Sequence, residues 1–346
     1  MGQGIACKLY GGILLFLFLN ISFTARSQYT EVINSNRPGV SVSAYAVGRN
    51  VVQAEFGGYY EKQDHSDLLT DSNIIGGELA LRYGLLFETL EIIWEGSYQN
   101  QDINFIALDF KESRTGFADN RLGVKYLLFD PYKNPARNSP NLYSWRANNK
   151  FQWKNLIPAV SIYGGANFVL GDNPFYVEDP TISPRAMLAT QSQLTPKSVL
   201  ILNFIYDRIG TDFPEMSYTI SYSHAFRNPK WSAFIENQGI DSDRYSDILL
   251  RTGVSHLFNP NFQIDLSLGG NFKSSPSRYF GTFGLSYRLD FHQDQIINTS
   301  QTPGGPIKKN SMKKNRSSEI GPSKKEIRKQ RKKAKKDKNK EDDFDF

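Results

Sequence analysis

"GELALRYGLLFETLEIIWE", residues 77–95, is mostly apolar, yet it carries Glu78 and Arg82 in one half and Glu91 and Glu95 in the other. Each pair is four residues apart. On a helix such residues are i,i+4 neighbours. On a strand an even spacing puts both on the same face, with the opposite face left to the residues between them. The surrounding sequence decides between the two.

Alternation recurs from Val51 to Asp290. "FQIDLSLGGNF" (262–272) sets Phe262, Ile264, Leu266, Leu268 and Phe272 against Gln263, Asp265, Ser267 and Asn271. "RYFGTFGLSYRLD" (278–290) sets Tyr279, Phe283, Leu285, Tyr287 and Leu289 against Thr282, Ser286 and Arg288. Gly, Tyr, Phe and β-branched residues dominate these runs, which favours strand over helix. Twelve segments follow the pattern: 51–60, 74–85, 89–99, 116–128, 158–169, 185–194, 198–208, 217–226, 230–239, 247–257, 261–272 and 279–290.

Their connectors alternate between short turns, such as "LFET", "LTPK", "RNPK" and "FNPN", and longer polar stretches at 61–73, 100–115, 171–184 and 209–216. Short turns at one end and long loops at the other mark an outer-membrane barrel. The expected fold is all-β: a transmembrane antiparallel β-barrel of about twelve strands over 51–290, with both ends of the chain on the short-turn, periplasmic side. A two-sheet sandwich also alternates, but it does not readily give aromatic-rich strands whose outward faces are almost free of charge. One connector breaks the rule. Residues 129–157 are long and rich in Pro and Asn, with Trp145 and Trp153, and are expected either to form a periplasmic appendage or to fold back as a plug.

The flanks read differently. Lys8, an apolar run from Leu9 to Leu19 and small or polar residues up to Ser27 make a signal peptide over 1–27, too short for a membrane helix. Residues 28–50 are then a periplasmic N-terminal segment. The single cysteine, Cys7, precedes the apolar run, so the processed chain carries no thiol for disulfides, zinc or nucleophilic chemistry. From Lys308 onward there are 16 Lys/Arg and 7 Asp/Glu, so the net charge of +6 resides in the tail and the body is slightly acidic. The tail, 291–346, cannot bury a core and reads as disordered. Lys324, Lys325, Arg328, Lys329, Arg331, Lys332 and Lys333, with Phe344 and Phe346 in the closing "DDFDF", are its candidate contact residues. In the periplasm nucleic acid is not an available partner. A periplasmic protein or peptidoglycan is, and the barrel itself meets outer-membrane lipid.

With strand parity carried around the barrel, the lumen-facing charges are Glu78, Arg82, Glu91, Glu95, Arg121, Lys125, Arg185, Asp207, Glu236, Arg251, Asp265 and Arg288, six of each sign. Arg82 and Glu91 meet across the hairpin that turns near Phe87. These groups either pair across strands into a packed interior or line a solute path. Balanced signs argue against a strongly ion-selective pore. Catalysis finds little support. His65 lies in a polar loop, His292 past the last strand, and His224 and His256 on the outer face near the short-turn rim. Metal-ligand and phosphate-loop motifs are absent and no cofactor is expected.

Taken together, "LRYGLLFETLEI" (81–92), "GFADNRLGVKYLLF" (116–129), "IPAVSIYGGANFVLGD" (157–172), "KWSAFIENQG" (230–239) and "GVSHLFNPNFQIDLSLGG" (253–270) resemble the Bacteroidetes-type outer-membrane transporters grouped under phenol meta-pathway degradation. The resemblance covers roughly Val51 to Asp290 and implies an outer-membrane barrel without catalytic residues. It also implies that Arg82, Glu91, Asp119, Lys125, Glu236 and Asp265 occupy recurrent polar positions. The expected function is transport of small organic solutes of unspecified identity. The alternative is a non-catalytic accessory or structural subunit that binds partners through its basic tail.

Overall fold

The computed structural model describes residues 32–133, 141–171, 173–176 and 178–292. The expected signal peptide and the tail from residue 293, with every one of its expected contact residues, lie outside the described residues. Twelve strands form the body: β1 Val51–His65, β2 Thr70–Gly84, β3 Leu90–Phe105, β4 Phe110–Phe129, β5 Ala159–Phe168 and β6 Ile182–Thr195, then β7 Ser198–Asp207, β8 Glu215–Ala225, β9 Trp231–Ser242, β10 Ser246–Asn259, β11 Phe262–Asn271 and β12 Ser277–Asp290. Each pairs antiparallel with its sequence neighbours, and β1 closes on β12 from Val51↔Asp290 to Asp64↔Ser277. Closure leaves no strand edge, as a sheet in lipid requires, because an unpaired N–H or C=O finds no water there.

The faces segregate. Phe56, Leu81, Leu122, Val124, Ile162, Phe204, Ile220, Ile235, Leu266 and Phe283 are exposed on the outside, while Gln53, Glu55, Arg82, Glu91, Lys125, Glu236 and Ser286 are buried inside. No described helix is long and apolar enough to cross a membrane. The apolar outer belt and closed ladder are those of a barrel that spans an outer membrane with its strands.

Two of the expected long loops are strand instead. Polar stretches 61–73 and 100–115 continue the β1–β2 and β3–β4 hairpins, as in Gln63↔Ser72 and Asp102↔Ser113, leaving only tips at 66–69 and 106–109. Past the lipid both faces of a strand meet water. The apolar alternation is lost there while the backbone pairing continues, so the sequence pattern stops before the strand does.

The N-terminal segment is also placed differently. Residues 28–50 are expected outside the barrel, but the described part, 32–50, runs through its interior. Asn50, with φ of 58°, turns the chain out of the lumen into β1; Asn tolerates this left-handed conformation better than most residues. The described parts of the connector, 130–133 and 141–158, lie at the short-turn rim. It carries helix α1 (Trp145–Asn149), capped by Ser144, and a 3-10 turn at Trp153–Leu156. Asn155 Nδ2 donates to the Leu194 carbonyl at 3.0 Å and Ser192 Oγ to the Leu156 carbonyl at 3.1 Å, fixing the connector beside the β6–β7 turn. Trp153 is 81% exposed and touches Phe151 edge-on at 5.5 Å.

Leu266 sits midway along β11 on the lipid face. Replacing it with Lys should destabilise the reconstituted barrel by about 2–4 kcal/mol, the cost of a cation at mid-membrane. Ser267→Ala, one residue on and facing inward, should cost far less. Denaturant unfolding in lipid vesicles compares the two.

Candidate functional site

The barrel interior concentrates charge, and nearly all of it is paired. At the short-turn end Arg82 bonds Glu55 at 3.2 Å and Glu91 at 3.1 Å, and Lys125 reaches Glu91 at 2.8 Å. All four side chains are essentially buried. Two cations and two carboxylates from β1, β2, β3 and β4 thus neutralise one another. Strand pairing brings them together, with Glu91 and Lys125 directly opposed. Toward the long-loop end Arg251 pairs with Glu236 at 3.3 Å, Arg121 with Asp119 at 2.9 Å and with Glu95 at 3.8 Å, and Arg185 with Asp207. Arg288 reaches Asn261 Oδ1 at 3.0 Å and Asp290 at 3.5 Å near the short-turn rim.

Glu78 and Asp265, the remaining two of the twelve expected lumen charges, meet a partner that strand parity does not supply. Both pair with Arg37 of the N-terminal segment, Asp265 at 3.3 Å. The Arg37 guanidinium fits into a notch between Gly57 of β1 and Gly284 of β12, which are directly paired. A Cβ at either glycine would overlap the guanidinium, so the position needs the missing side chain.

The segment is stitched to the wall along its length. Val40 N–H donates to Glu236 at 3.0 Å and Ser41 N–H to the same carboxylate at 3.0 Å. Asn203 clamps Val42 twice, accepting from its N–H at 2.7 Å and donating to its carbonyl at 2.8 Å. Lys125 Nζ donates to the carbonyls of Ser43 and Tyr45, and Val47 N–H donates to Glu91 at 2.8 Å. An extended segment without sheet partners has its backbone groups satisfied by lumen side chains, which is what burial demands of it. Tyr45 OH donates to Asp130 at 3.2 Å; burial first, and the Asp130 charge second, push its phenol well above its ordinary range, so it stays a donor at any physiological pH.

Two cavities flank the segment. The larger, about 430 Å³, opens toward the long loops among Glu61, Glu78, Asp119, Arg121, Arg251 and Arg278. The smaller, about 200 Å³, lies toward the short turns among Ser221, Ser223, Ser232, Ser255 and Gln263. Asn36, Arg37, Pro38 and Gly39 line both, while Val40 and Val42 line only the first and Ser41 only the second. The segment, which turns at Arg37 and Pro38 and bends at Gly39 and Val40, thus stands between the two cavities.

Parity reasoning missed Gln53, Glu55 and Glu61 on β1, Arg278 at the start of β12 and Asn203 on β7. The β1 residues could have been found, because "VVQAEFGGYYEK" alternates as the other strands do. Arg278, which pairs with Glu61 at 2.6 Å, lies one residue before the expected strand start. Arg37 gives no strand signal at all.

The histidines sit at the edges. Ser198 Oγ is 2.8 Å from His224 Nδ1 and accepts from Tyr222 OH, tying β7 to β8 at the short-turn rim. His256 stacks on Trp231 with ring centroids 4.3 Å apart. Among the described residues no group of His, Cys, Asp and Glu has the geometry of a metal site.

Leaving Arg82 and Lys125 buried without their shared carboxylate makes Glu91→Leu costly, by about 3–5 kcal/mol in denaturant unfolding. Arg37→Ala should act locally. The Val40 and Ser41 amides should lose protection in hydrogen exchange while strand amides keep theirs.

Several solved barrels resemble this one. The COG4313 outer membrane channel from Pseudomonas putida F1 shares 11% identity at a TM-score of 0.48, covering 74% of this chain and all of that one. The NanC porin matches at 9% identity and a TM-score of 0.44, covering 68% of this chain and all of its own. The CymD monoaromatic hydrocarbon channel matches at 9% identity and a TM-score of 0.38, covering 71% and 90%. No curated protein matches the chain. The family model described as "Putative MetA-pathway of phenol degradation" matches residues 35–289, which include the N-terminal segment from Ser35 onward and the strands from β1 to Leu289 of β12, and the chain belongs to that family.

Proposed function

We propose that the protein is a passive outer-membrane channel for small solutes, closed at rest by the N-terminal segment. The carrying observation is the pair of lumen cavities, about 430 and 200 Å³, with residues 36–42 of the N-terminal segment lining one, the other or both. A barrel serving solely as an anchor has no use for two chambers lined by polar side chains. The barrier is also held by few bonds: the Asn203 clamp on Val42 and the Glu236 carboxylate on Val40 and Ser41. The pairing of lumen charges supports weak ion selectivity, because an excess of one sign does not face the path. No chemical step is assigned to the lumen. Its groups are engaged in pairing, and the reading is of a channel rather than an enzyme.

Releasing the clamp should open the path. Asn203→Ala combined with Glu236→Gln is expected to raise single-channel conductance in planar bilayers several-fold over the native chain. If native and variant are both silent, and neither swells in solute-loaded vesicles, the channel reading is lost.

A second reading is favoured by the short-turn rim, where Leu142 (89%), Tyr143 (101%) and Trp153 (81%) stand exposed. On this reading the rim and the basic tail, through Lys324 to Lys333, Phe344 and Phe346, contact a periplasmic protein or peptidoglycan. Pull-downs from gently solubilised membranes with and without the tail test it. Unchanged association would remove its support.

A further inference from the structure

We infer that the solute path follows one strand, β8, and that it is built for uncharged, hydroxyl-bearing molecules; the inference rests on the channel reading above. The inward face of β8 begins with Glu215, which pairs with Arg208 at 3.2 Å, and continues with Ser217, Thr219, Ser221 and Ser223, a run of four hydroxyls. At the rise of a strand they span about 20 Å along the barrel wall. Ser217 lines the larger cavity and Ser221 and Ser223 the smaller, so the row passes from one to the other with Thr219 at the barrier.

Several hydroxyls elsewhere in the lumen are paired: Ser232 with Ser255, Ser267 with Thr282, and Ser35 with Ser286, each at 2.7 Å. Ser161 Oγ and Thr89 Oγ1 are also buried without a partner, but Ser161 stands on β5, which lines neither cavity, and Thr89 precedes β3. Among the described residues the four on β8 make no side-chain hydrogen bond. Thr219 is the telling case. It is 1% exposed and its Oγ1 is fully buried without a partner. Leaving a hydroxyl in that state costs free energy, and between residues that line the two cavities it offers a solute a hydrogen bond that the protein does not make.

The occluding segment straddles this strand. Its anchors stand on either side, Asn203 on β7 opposite Thr219 and Glu236 on β9 opposite Ser221. None of its hydrogen bonds reaches β8. A small outward shift of Val40–Val42 would therefore join the two cavities directly over the hydroxyl row.

The row also fixes the chemical class. A hydroxyl donates and accepts but carries no charge. It can replace the water around a solute hydroxyl, and it replaces the hydration shell of an ion poorly. The carboxylates beside the row are already taken: Glu236, opposite Ser221, by two backbone N–H groups and Arg251, and Glu215 by Arg208. A purely apolar solute would leave Thr219 unsatisfied. Small polyols fit.

The test is vesicle swelling with the full chain, using erythritol against tetramethylammonium and butyrate ions of similar size. The native protein should admit erythritol fastest. Thr219→Val with Ser221→Ala should slow erythritol about fivefold, the factor one ordinary hydrogen bond is worth, and leave the ions unchanged. Ser161→Ala, on the β5 wall, should change nothing. Replacing an unpartnered buried hydroxyl with a methyl does not harm folding, so an unfolding midpoint no lower than native separates lost transport from a lost fold. An erythritol rate unchanged in the double variant, or native preference for either ion, overturns the β8 route while leaving a channel standing. Absence of all uptake, also with the Asn203 and Glu236 anchors replaced, overturns both.

Discussion

Every backbone N–H and C=O of a strand that crosses lipid must find its partner in a neighbouring strand, and for twelve strands that condition is met only when the last pairs with the first. Here β12 meets β1 over fourteen residue pairs, from Asp290 to Ser277. Closure then divides the side chains without appeal. Residues of one parity face hydrocarbon and must be apolar, and those of the other are confined to a narrow interior. The charged residues of this chain have nowhere else to go, and confinement obliges them to pair. The four-residue network of Glu55, Arg82, Glu91 and Lys125 is the direct consequence.

Such pairing has a modest net effect on stability, since desolvation offsets much of the attraction. Its larger effect is on geometry. A guanidinium held by two carboxylates on different strands fixes their separation, and the same groups provide acceptors and donors for a passing backbone. Glu91 serves Arg82, Lys125 and the Val47 amide at once; Glu236 serves Arg251 and two amides of the occluding segment. The wall network and the fixation of the segment are one set of bonds.

Strand parity made much of this legible. The spacing of Glu78 with Arg82 and of Glu91 with Glu95 is enough to set two faces, and the structure has Arg82 and Glu91 in contact across the hairpin. Three things escaped, each for a physical reason. The ends of β1 to β4 rise past the lipid, where no apolar face is required and alternation fades. Residues 32–50 carry no periodicity, because their backbone is satisfied by side chains scattered over seven strands rather than by a regular ladder. The notch for Arg37 depends on Gly57 and Gly284 being paired in register, although they are 227 positions apart in sequence. A single sequence read for local pattern has no means of aligning them.

The contrast between charged and hydroxyl groups in the lumen is where structure and function join. A group that is fully engaged with the protein holds its place and is slow to exchange partners. The charges are engaged in this sense, and so are the hydroxyls of β9 to β12 that bond one another. What a permeant can interact with is the part of the wall left unengaged. In this barrel the unengaged groups on β8 are neutral, lie in one row, and link the two cavities on either side of the segment. Charge balance alone would predict only indifference to the sign of an ion. The distribution of unsatisfied groups goes further, because it says which hydrogen bonds a solute gains by entering. A wall whose charges are spent on its own architecture selects through the hydroxyls that remain.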